Sequence, residues 1–196
     1  AGGTLRIATH LARHRTDRQR QAVVWDQGRH AVTRVRVVEG FAGQAALVDC
    51  WLETGRTHQI RVHMSYAGHG LVGDQTYGGK KRLGGGLGRG AEVGNAFPRQ
   101  ALHAASLGFD HPVTGERLEF TSPLPPDLAG LIGALRAGGG VGCPRWTEFS
   151  SQRSQGLGCG HLPIFNGRHW LSVKMSAPFR VAKPFVSSSG FASSSG

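Results

Sequence analysis

Between Ala31 and Ala67 the apolar residues change period once, and that change limits the folds open to the chain. From Ala31 to Glu39, Val32, Thr33, Arg34, Val35, Arg36 and Val37 alternate apolar or β-branched with charged residues. A period of two belongs to a strand with one wet face. Ala45 to Leu52 repeats the pattern, with Leu47 and Trp51 among its apolar members, and Gly40 to Gln44 between them reads as a turn. An antiparallel pair follows. From Thr57 the period lengthens, because Ile60, Met64 and Ala67 fall on one face of a helix. Gly68 ends that helix, and Thr54 or Thr57 is placed to cap its start. The expected class is therefore α+β, with a mixed, mainly antiparallel sheet and short helices.

The rest of the chain divides unevenly. Ala1 to Gln21 is basic and polar, with Arg13, His14, Arg15, Arg18 and Arg20 crowded around Thr16-Asp17. It reads as an irregular exposed loop, either a solvated arm or an anion-attracting one in which Arg15 and Arg18 meet phosphate. Gly70 to Asp74 reads as a short extended piece. Gly78 to Gly94, with eight glycines and Lys80, Lys81, Arg82 and Arg89, reads as a mobile basic loop. Leu102 to Phe109 and Arg117 to Phe120 flank a Pro- and Gly-bearing turn and form a hairpin. Asp127 caps a closing helix whose Leu128, Leu131, Ile132 and Leu135 share one side.

After Arg136 the patterning fades into glycine- and serine-rich sequence. The first 136 residues hold 17 Lys+Arg against 11 Asp+Glu, and the last 60 hold 6 against 1. Residues 1–136 are therefore expected to be a partial domain. Residues 137–196 are expected to be a disordered tail or sequence foreign to the domain.

Net charge of +11 points to a polyanionic partner, because cationic surfaces release a polyanion's counterions on binding. RNA, DNA or an anionic membrane satisfies it. The positive residues are nearly all arginine, whose planar fork suits phosphate and base edges, although a GC-rich genome also favours arginine codons. Three cysteines, Cys50, Cys143 and Cys159, make neither a CxxC pair nor an even set, so no disulfide framework or zinc site is expected. No apolar run is long enough to span a membrane. The expected compartment is the cytoplasm.

Arg56, His58, Gln59, Arg61 and His63 bring five polar side chains to the junction of strand and helix. Backbone NH groups at a helix start favour anions, and two arginines there deepen the effect. The two histidines are five apart, which suits different helical faces and not a two-histidine metal site. These residues are either a site for an anion or plain surface cations.

Gly55-Arg56-Thr57-His58-Gln59-Ile60-Arg61-Val62-His63, followed by Gly68-His69-Gly70-Leu71-Val72-Gly73-Asp74-Gln75-Thr76-Tyr77-Gly78, closely resembles the RluA-type RNA pseudouridine synthases. Arg99 to Ala104, Leu107 to Phe109, His111 to Glu116, Leu118 to Phe120 and Ser122 to Leu128 resemble that family's closing strands and ending. Thr16 to Arg18, Ala22 to Val24 and Ala31 to Thr33 resemble the stretch before them. The resemblance covers about residues 10 to 135 and implies part of that family's catalytic fold. It implies isomerisation of uridine in RNA, ribosomal RNA first and transfer RNA second, without metal or organic cofactor, by a protein that is monomeric when complete. It implies that Arg61 pairs with the nucleophilic carboxylate, keeping it ionised and oriented. It also implies that Arg56, His58 and Gln59 shape the pocket or hold RNA phosphate.

The family's nucleophilic aspartate lies in an H-R-L-D-x-x-T-S-G segment that these residues do not contain. The expectation is a synthase whose N-terminal half is missing through truncation or a mis-assigned start, inactive as this chain alone. A non-catalytic RNA-binding remnant is the alternative, and a basic structural or ribosome-associated protein a distant third.

Overall fold

The computed structural model describes residues 4–78, 82–138 and 170–179. They form one mixed sheet with three short helices, in the expected α+β class. β3 (Arg29–Phe41) and β4 (Ala45–Leu52) are the antiparallel pair read from the alternating pattern. They turn through Ala42 and Gly43, both at positive φ. α1 (Gln59–Tyr66) follows at once, and its buried Ile60 and Met64 pack on Val35, Val48 and Cys50 of the two strands.

The first segment departs from expectation. Thr4–Arg13 is a strand, β1, flanked by β2 (Gln21–Val24) on one side and β3 on the other. Buried Ile7 and Leu11 anchor it, and the exposed residues between and around them hide the alternation. Only the loop after Arg13 carries the crowded arginines in the irregular form expected.

The glycine-rich stretch also departs. Residues 79–81 lie outside the described part, but Gly85–Leu87 forms a turn of 3-10 helix and α2 spans Arg89–Asn95. Leu83, Leu87 and Ala91, each four apart, are buried against Leu128, Leu131 and Leu135 of α3 (Pro126–Gly138). Helical spacing was present and masked by glycine. One of those glycines is needed: a Cβ at Gly90 would sit 2.7 Å from the Ala134 carbonyl oxygen, so α2 and α3 could not approach so closely.

Asp127 lies in the first turn of α3 and does not precede it. Its carboxylate accepts the Leu128 amide at 2.8 Å and the Arg99 fork at 2.8 and 2.9 Å. β5 (Ser106–Asp110) and β6 (Arg117–Thr121) form the expected hairpin, turning through Gly115 at positive φ. Gly70 to Asp74 is irregular, with a turn at Val72-Gly73 and Leu71 as a single bridging residue.

The strand order is β2-β1-β3-β4-β7-β5-β6, with β7 (Trp170–Phe179) parallel to both β4 and β5. Ten residues of the supposed tail are thus a strand. Leu171, Val173, Met175 and Ala177 alternate there with Ser172, Lys174 and Ser176, a period of two overlooked beside so much glycine and serine. The remainder of residues 139–196 lies outside the described part.

Candidate active site and RNA-facing surface

The loop from Leu52 to α1 owes its shape to one buried amide. Neither Thr54 nor Thr57 caps the helix; His58 occupies the N-cap in the left-handed region, at φ 54, with no side-chain cap bond. Gln59 instead fixes the loop before the helix. Its Oε1 accepts the Thr54 hydroxyl at 2.8 Å and the Arg56 amide at 3.0 Å. Its Nε2 donates to the Val32 carbonyl at 2.9 Å and Thr33 Oγ1 at 3.0 Å. Four bonds to protein leave Gln59, only 2% exposed, bracing the loop against β3.

Arg61, in the first turn of α1, reaches the segment after the helix. Its Nε and Nη2 donate to Asp74 Oδ2 and Oδ1, both at 2.8 Å, a fork-to-fork pair. Asp74 Oδ1 also accepts the amides of Thr76 and Tyr77 at 2.9 Å each. The Asp74 side chain is wholly buried and that of Arg61 14% exposed. Burial pushes the Asp74 carboxyl up, but the Arg61 fork and the two amides outweigh it and hold it below the usual carboxylate range. The bond to Asp74 in turn raises Arg61, against desolvation. Gly73, at φ 70 and packed against the Arg99 carbonyl, permits the turn that aims Asp74.

Tyr77 closes this cluster. The Arg61 guanidinium carbon lies 4.7 Å from the centre of its ring and that of Arg20 5.3 Å. Its hydroxyl oxygen accepts the Gln21 amide at 2.7 Å and lies 3.0 Å from His58 Nδ1. Burial lowers the His58 pKa, the Arg61 charge adds to it, and Asp74 opposes.

His63 is fully buried, with Nδ1 2.8 Å from Thr33 Oγ1 and Nε2 2.9 Å from Thr9 Oγ1. Burial lowers its pKa from 6.5 to about 4. A base whose folded value lies below its unfolded one leaves stability complete above the unfolded value and drains it as pH falls to the folded one. The loss between about pH 6.5 and pH 4 is on the order of 3 kcal/mol. His58 acts in the same direction. Asp74, lowered from its carboxylate value, loses its contribution only as pH falls through that lower range. Urea-unfolding midpoints should therefore decline from about pH 6.5 downward, and His63→Gln should flatten that decline. Equal slopes in the two proteins would show that His63 is not its source.

The expected site residues separate by environment. Arg61 and His58 join one cluster with Asp74 and Tyr77. Arg56 is exposed beside it, its Nε donating to the His30 carbonyl at 3.2 Å. Arg15 and Arg18 are exposed in the β1–β2 loop, whose far end meets Tyr77 through Arg20 and Gln21. Asp74, Tyr77 and Arg20 had no role in the sequence reading. Asp74 and Tyr77 stood in a quoted motif, but nothing in their spacing said that they face Arg61.

Arginine pairing divides the molecule. Arg6, Arg34, Arg36, Arg61, Arg99, Arg117 and Arg136 each hold a carboxylate. Among the described residues Arg13, Arg15, Arg18, Arg20, Arg29 and Arg56 hold none, and all six lie around the β1–β2 loop, the start of β3 and the start of α1; Arg82 and Arg89, also without one, lie beside and within α2. No group of three or more metal-binding side chains gathers among the described residues, and no described helix is long and apolar enough to cross a membrane.

Residues 4–66 match the model of the RNA pseudouridylate synthase family. An uncharacterized RNA pseudouridine synthase, YlyB of Bacillus subtilis, is 50% identical over 133 residues, 68% of this chain and 39% of that protein. The ribosomal large subunit pseudouridine synthases D of Vibrio parahaemolyticus and Vibrio cholerae are 47% and 49% identical over 137 residues, 69% of this chain and 41% of each relative. The chain spans about two fifths of the length of the curated relatives it matches.

Proposed function

Because the chain belongs to the RluA-type RNA pseudouridine synthase family, we propose that it forms the arginine side of an active site isomerising uridine to pseudouridine in RNA. Ribosomal RNA is the first candidate substrate, in keeping with the names of the two Vibrio relatives, and transfer RNA the second. In this reading the whole protein works as a monomer in the cytoplasm and requires no metal or organic cofactor. The observation that carries the proposal is the Arg61 guanidinium, held by two nitrogens to a fully buried Asp74 and lying over Tyr77.

In such a reaction an aspartate attacks, the bond from C1′ to N1 of the uracil breaks, the base turns, and C1′ rejoins it at C5 with loss of the C5 proton. Arg61 would keep that aspartate ionised and aimed. Its Nη1, without a partner among the described residues, is the atom left for a second carboxylate. The aspartate of the H-R-L-D segment is not among these residues. Asp17 is no substitute, for its carboxylate accepts the Gln19 amide within its own exposed loop. The target base must leave its stack, and Arg15, Arg18 and Arg56 would grip phosphates beside it.

Release of tritium from RNA labelled at uridine C5 tests the reading. The chain alone should release none, and the chain joined to the aspartate-bearing segment of a relative should release it. No release from the joined protein, with RNA still bound, would leave an RNA-binding remnant. Replacing Arg15, Arg18 or Arg56 by alanine should each lower the salt slope of RNA affinity by about one.

A further inference from the structure

The turn between β2 and β3, residues Trp25 to Gly28, is used by nothing above. Trp25 is 83% exposed, an indole held out in water on the short connection that passes from β2 across β1 to β3. A single exposed aromatic is common on protein surfaces. This one differs in its support and in its neighbours.

The turn packs closely just beyond the indole. Gln27 adopts φ 62, and a Cβ at Gly28 would lie 2.6 Å from the Val24 side chain and 2.8 Å from that of His10, so the turn folds tightly onto β1. Just beyond, His30 and His10 are register partners with ring centres 5.7 Å apart. Arg56 donates to the His30 carbonyl, which ties this end of β3 to the start of α1 and its Arg61 cluster.

The neighbouring charge is free. Arg29, directly after the turn, pairs with Leu11 in the register, and Arg13 lies two residues farther along that strand. Both are exposed and hold no carboxylate among the described residues. Asp26, the turn's own acid, is exposed and pairs with no arginine there. The β5–β6 turn provides a contrast: Val113 is as exposed, at 86%, but its nearby Arg117 is bound to Asp110 and Glu119. An apolar tip among spent charges offers a nucleic acid nothing. An indole at the end of a strand pair that also carries two unspent guanidinium groups offers a face for a base and charge for phosphates along the same edge.

We propose that Trp25 is a base-stacking residue, receiving an unpaired nucleobase close to the target uridine while Arg13 and Arg29 hold the adjoining phosphates. The inference rests on the RNA reading and adds single-stranded or looped RNA as the form recognised at this edge.

The test uses the full chain and two labelled probes, an unstructured oligoribonucleotide and an RNA duplex without loops, with affinity followed over a salt series. Trp25→Ala should weaken binding to the single strand about tenfold and leave its salt slope unchanged. Trp25→Phe should restore most of the loss. Arg13→Ala and Arg29→Ala should each lower the slope by about one. Single-stranded RNA should quench tryptophan emission, and Trp25→Phe, which keeps a ring in the turn, should remove that component. If Trp25→Ala binds as well as the parent while the Arg15, Arg18 and Arg56 variants bind less, stacking fails and the RNA reading stands. Equal weakening on duplex and single strand would also overturn stacking. No salt-dependent RNA binding by the parent would overturn both.

Discussion

Arg61→Ala, in a protein that carries the family's aspartate segment, should lose uridine isomerisation by about a hundred- to a thousandfold, the range for removal of one preorganised electrostatic contact. RNA affinity should fall much less. Two of the three guanidinium nitrogens are committed to Asp74 and the side chain is only 14% exposed, so little of it is presented to phosphate. Single-turnover tritium release and filter binding, made on the same preparation, separate the two effects. If affinity falls in step with rate, Arg61 is a phosphate contact and not the partner of a nucleophile. Alanine also strands the buried Asp74, so Arg61→Lys is the companion: charge stays, the fork is lost, and a folded protein should still be slow.

The second large effect is on folding. Asp74→Ala should destabilise the chain by about 3 to 5 kcal/mol, because it leaves a nearly buried guanidinium without its counter-charge. It also deprives the amides of Thr76 and Tyr77 of their acceptor. Set against the usual total of about 5 to 15 kcal/mol, such a loss threatens the fold itself. Asp74→Asn, which can still accept from the amides, should cost less. Urea-unfolding midpoints give both values, and a change below about 1 kcal/mol for the alanine variant would show that the pair is not structural.

These two residues mark where sequence reading reached and where it stopped. The run through β3, β4 and α1 was legible because each element obeys its own period, with Val35, Val48, Ile60 and Met64 buried as that period requires. β1 was not, since exposed arginine and histidine hid the spacing of Ile7 and Leu11. α2 was hidden by glycines that serve close packing rather than flexibility. At the site, Arg61 was found through a motif, whereas its partner Asp74 lies 13 residues on and meets it only after α1 has turned at Gly68. Gln59 was expected at the RNA, yet its four bonds are internal, and no spacing rule distinguishes a buried amide from an exposed one.

The division of the arginines has a kinetic meaning as well. Among the described residues, unspent positive charge gathers around the β1–β2 loop and the starts of β3 and α1, with only Arg82 and Arg89 unpaired elsewhere, which gives this part of the molecule a lopsided field. A polyanion diffusing toward it would be turned before contact, so many first encounters would already present RNA to the Arg61 side. Ionic strength would then act chiefly on the rate of arrival, while the lifetime of the complex depends on contacts made at close range.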